Sequence, residues 1–196
     1  NAIQAGRSFL KSIQRPDGSW YGSWGNCFTY GTWFGIEGLV CAGESVDSTN
    51  VRNAVQFLLS KQNPNGGWGE SYLACINKAY PAEGTGPVSA SLPLYFLLLV
   101  NFCIICVFQD QGEGGSGVVQ TAWALLGLLA GGCTDKVALD RGRDFLMRRQ
   151  LPTGDWAQEG ITGVFNRSCG ITYTAYRNLF PMWALARYAA KYEAAE

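Results

Sequence analysis

Apolar side chains recur at steps of three and four residues in three separate stretches of this chain, with polar side chains between them. Such spacing is typical of a helix that packs one face against a core and turns the other toward solvent. The sequence therefore predicts three amphipathic helices, one in each stretch. Their apolar positions are Ile3, Phe9, Leu10 and Ile13, then Val51, Val55, Phe57 and Leu58, and finally Val137, Leu139, Phe145 and Leu146.

Each of these helices leads into the same short motif. The pattern Phe-Leu-x3-Gln-x-Pro-x-Gly-x-Trp occupies residues 9–20, 57–68 and 145–156, which marks an array of similar structural units. The Pro cannot continue a helix and the Gly permits a positive φ, so the motif predicts a helix end and a tight turn. We expect the Gln amide to bond the backbone of a neighbouring helix end and the Trp indole to stack over it, clamping adjacent repeats together.

Other stretches are apolar on nearly all sides. Residues 28–41 and 118–129 fit fully buried inner helices, and the first of them stops at Ala42-Gly43. Residues 171–192 also fit a helical pattern, in which Pro181 either starts a helix or kinks one. Because inner and outer helices alternate along the chain, the predicted fold class is all-α, built from paired helices.

Composition narrows the functional classes. The 196 residues carry no net charge, 15% are charged and 47% are hydrophobic. The chain therefore has no excess of positive charge to attract a nucleic acid, and nucleic-acid-binding proteins are excluded. The chain contains no His, which removes Ser-His and Cys-His nucleophile pairs, His-ligated zinc and His general bases. Since repeat units bury their faces against neighbours, the three copies suggest part of a larger array.

The seven cysteines are odd in number and scattered along the chain. No cleavable signal peptide opens the sequence, and together these features favour a reducing compartment with free, mostly buried thiols. Cys103 and Cys106 have the spacing of metal ligands, but no second pair and no His completes a site, so no metal is expected. Asp155 and Glu159 could form a catalytic carboxylate pair, but a polar turn and a helix start account for both residues, so no catalytic role is expected for them.

Further segments follow one another in an order typical of a known family. They are residues 22–35, 66–70, 120–124 and 163–169, followed by Tyr176-Arg177-Asn178 and Pro181. Together with the three Gln-to-Trp motifs, they resemble the carboxyl-terminal part of the oxidosqualene and squalene cyclases, and the run at 27–34 resembles the eukaryotic oxidosqualene cyclases. The resemblance covers the chain except for about 82–115. It implies part of an α/α toroid of inner and outer helices, incomplete at its amino-terminal side.

The resemblance also implies an activity. Such cyclases protonate the epoxide of 2,3-oxidosqualene with an aspartic acid and guide a carbocation through ring closures in a dry cavity, with no cofactor or metal. Aromatic ring faces stabilise a cation there without acting as nucleophiles. By position in the family's motifs, Cys27 would hydrogen-bond the catalytic acid and help keep it protonated. The cavity would be lined by Trp123, Phe165, Tyr173, Tyr30 and Tyr176.

The chain departs from the family in one large respect. The catalytic acid belongs to an Asp-Cys-Thr-Ala-type motif upstream of the matched part, and no such run occurs in this sequence. We therefore expect this chain alone to be inactive, and its parent enzyme's product could be lanosterol, cycloartenol or another triterpenol. The resemblance implies that the parent enzyme binds one leaflet of a membrane, at the endoplasmic reticulum or lipid droplets, on the cytosolic face.

Other interpretations compete with this one. Any of the proposed cavity aromatics could pack in the core, and Cys27 could be a small buried hydrophobe; Trp20, Trp68 and Trp156 are assigned to the turns. A protein prenyltransferase β-subunit shares the toroid but needs a His at its zinc, and a ricin-type lectin places its Gln-x-Trp repeats on strands. A non-catalytic helical-repeat fragment, acting as a packing or interaction module, remains open.

Residues 89–107 are almost wholly apolar, where the resembled family has a short polar connection. The run could dip into a membrane, but Pro93, Asn101 and the lack of basic or aromatic flanking residues make a weak anchor. The favoured alternative is a translated intron, because a splice donor can encode Val-Ser and a pyrimidine-rich tract encodes Phe, Leu, Ile, Cys and Val. Its removal would join Val88 to Phe108 in an ordinary polar loop. We expect this segment to pack poorly.

Overall fold

The structure is a computed structural model that describes residues 1–80, 115–165 and 169–193. Within these ranges the chain forms helices and one antiparallel hairpin, so the all-α prediction is confirmed with a small β addition. The segment 89–107 lies outside the described residues, as do Cys103 and Cys106. The elements are α1 (Ala2–Ser12), α2 (Cys27–Cys41), α3 (Thr49–Ser60), α4 (Leu73–Asn77), α5 (Val118–Ala130), α6 (Lys136–Arg148), β1 (Gly163–Phe165), β2 (Cys169–Ile171) and α7 (Thr174–Tyr192).

The longer helices form two layers. The inner layer consists of α2, α5 and α7, with α5 packed against both of the others. The outer layer consists of α1, α3 and α6, of which α3 packs against α2 and α5, and α6 packs against α5 and α7. Capping side chains fix where two outer helices begin, because Ser48 and Asp135 accept hydrogen bonds from the first turns of α3 and α6. The core lies between the layers and contains Trp33, Ile36, Leu58, Leu125, Phe145 and Leu146, all buried.

The three turn motifs have the predicted helix end and tight turn, and each indole makes a hydrogen bond that was not predicted. In each, the indole N–H donates to a carbonyl oxygen ten residues earlier, at the end of the outer helix, over 2.7 to 2.9 Å. The glycine of each motif has a positive φ of 85° to 89°, which a side chain would strain. We name the motifs the first clamp (Gln14, Gly18, Trp20), the second clamp (Gln62, Gly66, Trp68) and the third clamp (Gln150, Gly154, Trp156).

The first two clamps join neighbouring repeats, as predicted. The Gln14 amide donates to its own turn and to the Asn50 carbonyl in the first turn of α3, both at 2.9 Å. The Gln62 amide does the same for the Ala138 carbonyl in the first turn of α6, again at 2.9 Å. Each Gln therefore ties the end of one outer helix to the start of the next.

Two helix predictions need correction. Ile171 pairs with Gly163 in the hairpin, and the extended backbone of Tyr173 delays the start of α7 to Thr174. Pro181 lies well inside α7, so it does not start that helix. The inner helix α2 is also not buried on all sides, because Phe34 is half exposed.

Candidate functional site

Four aromatic residues selected from the sequence meet on the inner layer. The ring of Tyr30 on α2 lies 5.3 Å, between centroids, from that of Trp123 on α5. Trp123 lies 5.5 Å from Tyr176 on α7, which lies 4.9 Å from Tyr173 at the start of the same helix. These tilted and edge-to-face arrangements are the favourable ones for aromatic pairs. All three inner helices thus contribute to one group of rings.

Four more rings extend this group beyond the sequence prediction. Phe34 lies 4.7 Å from Tyr30, and Phe180 lies 5.3 Å from Tyr176. Each pair is separated by four residues on a helix, so the sequence did contain the signal, since such residues share a face. The added rings are Trp33, Phe34, Phe180 and Trp183. We call these four, with Tyr30, Trp123, Tyr173 and Tyr176, the aromatic cluster.

Phe165 stands beside the cluster rather than within it. It ends β1, is 42% exposed and has its ring 5.3 Å from that of Trp24. The strand is held there by a backbone bridge between Gly163 and Gly25. A Cβ atom on Gly25 would lie 2.8 Å from the Tyr30 ring, so only glycine lets this bridge pass so close to the cluster. Trp24 is the ring partner of Phe165, and it was not among the residues selected from the sequence.

The cluster contains no charged side chain. Trp123 is fully buried, and among the described residues its indole N–H has no hydrogen-bond partner. Burial raises the pKa of Tyr30. Burial, and then the neighbouring Tyr30 and Tyr173, raise the pKa of Tyr176. Both phenols therefore stay protonated at neutral pH, and the ring faces can attract a cation without offering a phenolate that would trap it.

An ion pair adjoins the cluster. Arg187 on α7 makes two hydrogen bonds of 2.7 Å to the carboxylate of Glu37 on α2. The indole of Trp33 donates to the same carboxylate over 3.1 Å. The bonds from Arg187 lower the pKa of Glu37, against the opposing effect of partial burial. This bidentate pair holds together two of the three helices that supply the cluster.

Cys27 is joined to Cys75 by a disulfide bond, which corrects the expectation of free thiols. Of the other described cysteines, Cys133 is buried, whereas Cys41 and Cys169 are exposed, so thiols in this part of the chain are not mostly buried. The partners are 48 residues apart in sequence and meet because α4 packs beside the start of α2. A bonded Cys27 has no S–H to donate, so its sulfur can only accept a hydrogen bond.

Carboxylates that follow the second and third clamps stabilise inner helices. Glu70 is fully buried and accepts hydrogen bonds of 2.8 to 2.9 Å from the first three N–H groups of α2. Burial raises the pKa of Glu70, while those N–H donors lower it. Glu159 accepts a 2.7 Å bond from the N–H of Val118 at the start of α5, so it caps another repeat's helix rather than a helix of its own. Asp155 pairs with Arg177.

Neither a metal centre nor a membrane-spanning helix is found in the part of the chain that the structure describes. No three Cys, Asp or Glu side chains in residues 1–80, 115–165 and 169–193 converge as metal ligands would. None of the helices there combines the length and hydrophobicity needed to cross a bilayer.

Paired inner and outer helices, joined by Gln-to-Trp clamps and carrying an aromatic cluster on the inner layer, have the arrangement expected of part of an α/α toroid. A family model described as the squalene-hopene cyclase C-terminal domain matches residues 1–99 and 107–190. The chain belongs to this family, which confirms the resemblance drawn from its motifs.

Its relatives include sterol-forming synthases. Over 97% of the present chain, it is 41% identical to mouse lanosterol synthase. Also over 97% of the present chain, it is 46% identical to cycloartenol synthase of Dictyostelium discoideum. It spans only 22% and 23% of those two proteins. Among solved structures it is similar to the type II terpene cyclase MstE from Scytonema, with a TM-score of 0.59, 17% identity, and coverage of 97% of this chain and 52% of that one. That likeness supports the toroid fold.

Proposed function

We propose that this chain is the carboxyl-terminal part of a cyclase that converts 2,3-oxidosqualene into a polycyclic triterpenol of the lanosterol or cycloartenol type. The observation that carries the proposal is the aromatic cluster, in which rings from three inner helices converge around Trp123. Membership of the cyclase family and the sterol-synthase relatives support it. The catalytic acid belongs to a part of the enzyme outside this chain.

The cluster suits a reaction that moves positive charge. A ring face carries negative quadrupole potential and attracts a cation by about 2 kcal/mol where water is excluded. Several rings at 5 to 6 Å spacing offer such faces in succession, so a carbocation that migrates along a substrate meets one partner after another. Tyr30 and Tyr176, kept protonated by their raised pKa values, add ring faces without a competing nucleophile.

Phe165 and Cys27 keep the roles proposed from the sequence. Phe165 and Trp24 form an exposed pair next to the cluster, which suits a wall at the edge of a cavity. Cys27 would still serve a neighbouring acid while bonded to Cys75, because a protonated carboxyl group is itself the donor and a sulfur can accept.

A chain-exchange experiment tests the proposal. The matching part of Dictyostelium cycloartenol synthase is replaced by this chain, with and without residues 89–107, so that the host supplies the acid. The chimera is given 2,3-oxidosqualene, and products are identified by gas chromatography and mass spectrometry. We expect a cyclised triterpenol from at least one form. A folded chimera that yields none in either form would contradict the proposal and favour a packing or interaction module instead.

Two variants of the active chimera separate cavity from scaffold. Phe165→Ala should lower turnover roughly tenfold or release prematurely deprotonated products, because a cation loses a partner worth about 1 to 2 kcal/mol. Trp156→Ala should instead lower stability and leave the product spectrum unchanged, since that buried indole donates to the Leu146 carbonyl at the end of α6. Identical product profiles for Phe165→Ala and the unaltered chimera would remove Phe165 from the cavity.

We also propose that the parent enzyme acts from one leaflet of the endoplasmic reticulum or lipid droplets, on the cytosolic face, because its substrate is oily and partitions there. Fractionation of cells that express the whole enzyme should place it with membranes or droplets and release it with detergent but not with salt. Recovery in the soluble fraction without detergent would contradict this location.

A further inference from the structure

The loop between the first clamp and α2 lies directly against the ring of Tyr30. A Cβ atom on Gly22 would lie 2.7 Å from Cδ1 of that ring, and one on Gly25 would lie 2.8 Å from its Cγ. Neither glycine has a positive φ, so the backbone angles suit any residue and only the space is restrictive. A backbone that approaches a ring this closely requires glycine. The loop therefore limits the position of the Tyr30 ring on one side.

Gly25 also borders a second ring of the aromatic cluster. Its Cβ atom would lie 3.1 Å from Cη2 of Trp123, the indole whose centroid lies 5.3 Å from that of Tyr30. A side chain at position 25 would thus crowd two rings at once. Trp123 is fully buried, whereas Tyr30 is partly exposed, so Tyr30 is the ring with room to move.

The helix that carries Tyr30 has little freedom to move aside. A Cβ atom on Gly31 would lie 2.5 Å from the Trp20 carbonyl oxygen, and one on Gly35 would lie 2.4 Å from the Trp20 ring. The first clamp therefore packs directly on α2 and holds it in place. Crowding at position 25 must be relieved by the Tyr30 side chain, which would move away from the loop and toward the exposed face of the cluster, where Phe34 lies.

The same loop supports the neighbouring exposed pair of rings. The backbone of Gly25 pairs with that of Gly163, at the start of the strand that ends in Phe165. The Trp24 carbonyl accepts a 3.0 Å hydrogen bond from the N–H of Val164. One short piece of backbone thus fixes both the Phe165 strand and the nearest rings of the cluster.

We propose that Gly25 is a specificity-determining residue of the cyclase, because the missing side chain keeps the Tyr30 and Trp123 rings withdrawn from the cavity. This inference rests on the proposed function. Ring faces stabilise a carbocation according to where they lie along the substrate. A ring pushed forward would hold the cation at an earlier carbon. There the adjacent carbon gives up a proton to a water molecule, and the electron pair of the broken C–H bond becomes a double bond, which ends the cascade.

The active chimera tests this inference with Gly25→Ala. Gas chromatography and mass spectrometry should show the ratio of early-deprotonated to fully rearranged products rising at least about fivefold. Because the added methyl group acts through the Tyr30 ring, it should change this ratio little in a Tyr30→Ala background. Gly142→Ala is the matched control, since its Cβ atom would lie 3.0 Å from the Trp68 ring of the second clamp. It should lower the Tm and leave the product ratio unchanged.

Thermal unfolding of the same variants tests the steric step without substrate. Gly25→Ala should lower the Tm, because added volume in a packed site is destabilising, and most of this loss should disappear in the Tyr30→Ala background. If Gly25→Ala alone does not fold, the double variant should still fold. A double variant that also fails to fold, or an equal loss of Tm in both backgrounds, would overturn the inference.

Two outcomes separate this inference from the proposed function. An active chimera whose product ratio is unchanged by Gly25→Ala would overturn the specificity role of Gly25 and leave the proposed function standing. A folded chimera that forms no triterpenol would overturn the proposed function and the specificity role together.

Discussion

The clamps and the aromatic cluster use the same kinds of side chain in opposite ways. All three clamp indoles are buried, and each N–H bonds a carbonyl oxygen at the end of its own outer helix. In the cluster, the buried indole of Trp123 has no described partner, while Phe34, Tyr173 and Trp183 leave much of their rings exposed. The clamp indoles therefore have their hydrogen bonds satisfied, whereas the cluster keeps ring faces available for a bound molecule.

This difference assigns the two regions to different tasks. A ring enclosed by its own fold contributes burial and hydrogen bonding to stability. A ring with a free face contributes less to stability, and it can interact with a bound molecule. Stability measurements on matched variants can therefore separate scaffold aromatics from cavity aromatics without a substrate.

The largest contrast is expected on truncation to alanine. Trp68→Ala removes a fully buried indole that packs close to Gly142 and bonds the Leu58 carbonyl, so it should lower the free energy of unfolding by about 3 to 5 kcal/mol. Phe165→Ala should lower it by less than about 1 kcal/mol, because that ring is partly exposed. Urea unfolding of both variants measures the difference. Equal losses would show that Phe165 is a core residue and would end its assignment to a cavity wall.

A smaller contrast isolates the indole N–H. Trp68→Phe and Trp123→Phe remove the same volume from fully buried sites, but only the first removes a hydrogen bond. Trp68→Phe should therefore be less stable than Trp123→Phe by about 1 to 2 kcal/mol. The same unfolding assay compares them. If Trp123→Phe lowers the free energy of unfolding as much as Trp68→Phe or more, the Trp123 indole N–H does have a hydrogen-bond partner in the folded protein.

The clamps were predictable from the sequence, and the cluster was so only in part. A Pro, a Gly and a periodic helix are local signals, and they predicted the turn and the Gln14 bond to α3 correctly. They did not predict that the Trp20 indole donates to Leu10 at the end of its own helix. The convergence of Tyr30, Trp123 and Tyr176 came from a resemblance, because nothing local says which faces of three separate helices meet.

Features that depend on distant partners were missed. The Cys27–Cys75 disulfide and the cap that Glu70 provides for α2 both join residues more than forty positions apart. The hairpin was not predicted, and its last residue, Ile171, was read as the start of a helix, since a three-residue strand carries too little periodicity to oppose the helical pattern that follows it.

The smallest expected effect is a dependence of stability on pH. It should affect the ion pair beside the aromatic cluster but not the clamps. The clamps bond through amide, indole and carbonyl groups that do not titrate, whereas α2 and α7 are joined by Glu37 and Arg187. Because hydrogen bonds from Arg187 lower the pKa of Glu37, the pair stabilises the protein above the ordinary glutamate pKa. That stabilisation is lost as the pH falls through the lowered pKa.

Glu37→Gln should thus cost about 0.5 to 1 kcal/mol at neutral pH, a modest amount since both side chains are partly exposed, and this deficit should disappear in acid. The deficit of Trp68→Phe, measured in the same pH series, should stay constant. A Glu37→Gln deficit that persists in acid would mean that the carboxylate's charge does not hold α2 to α7.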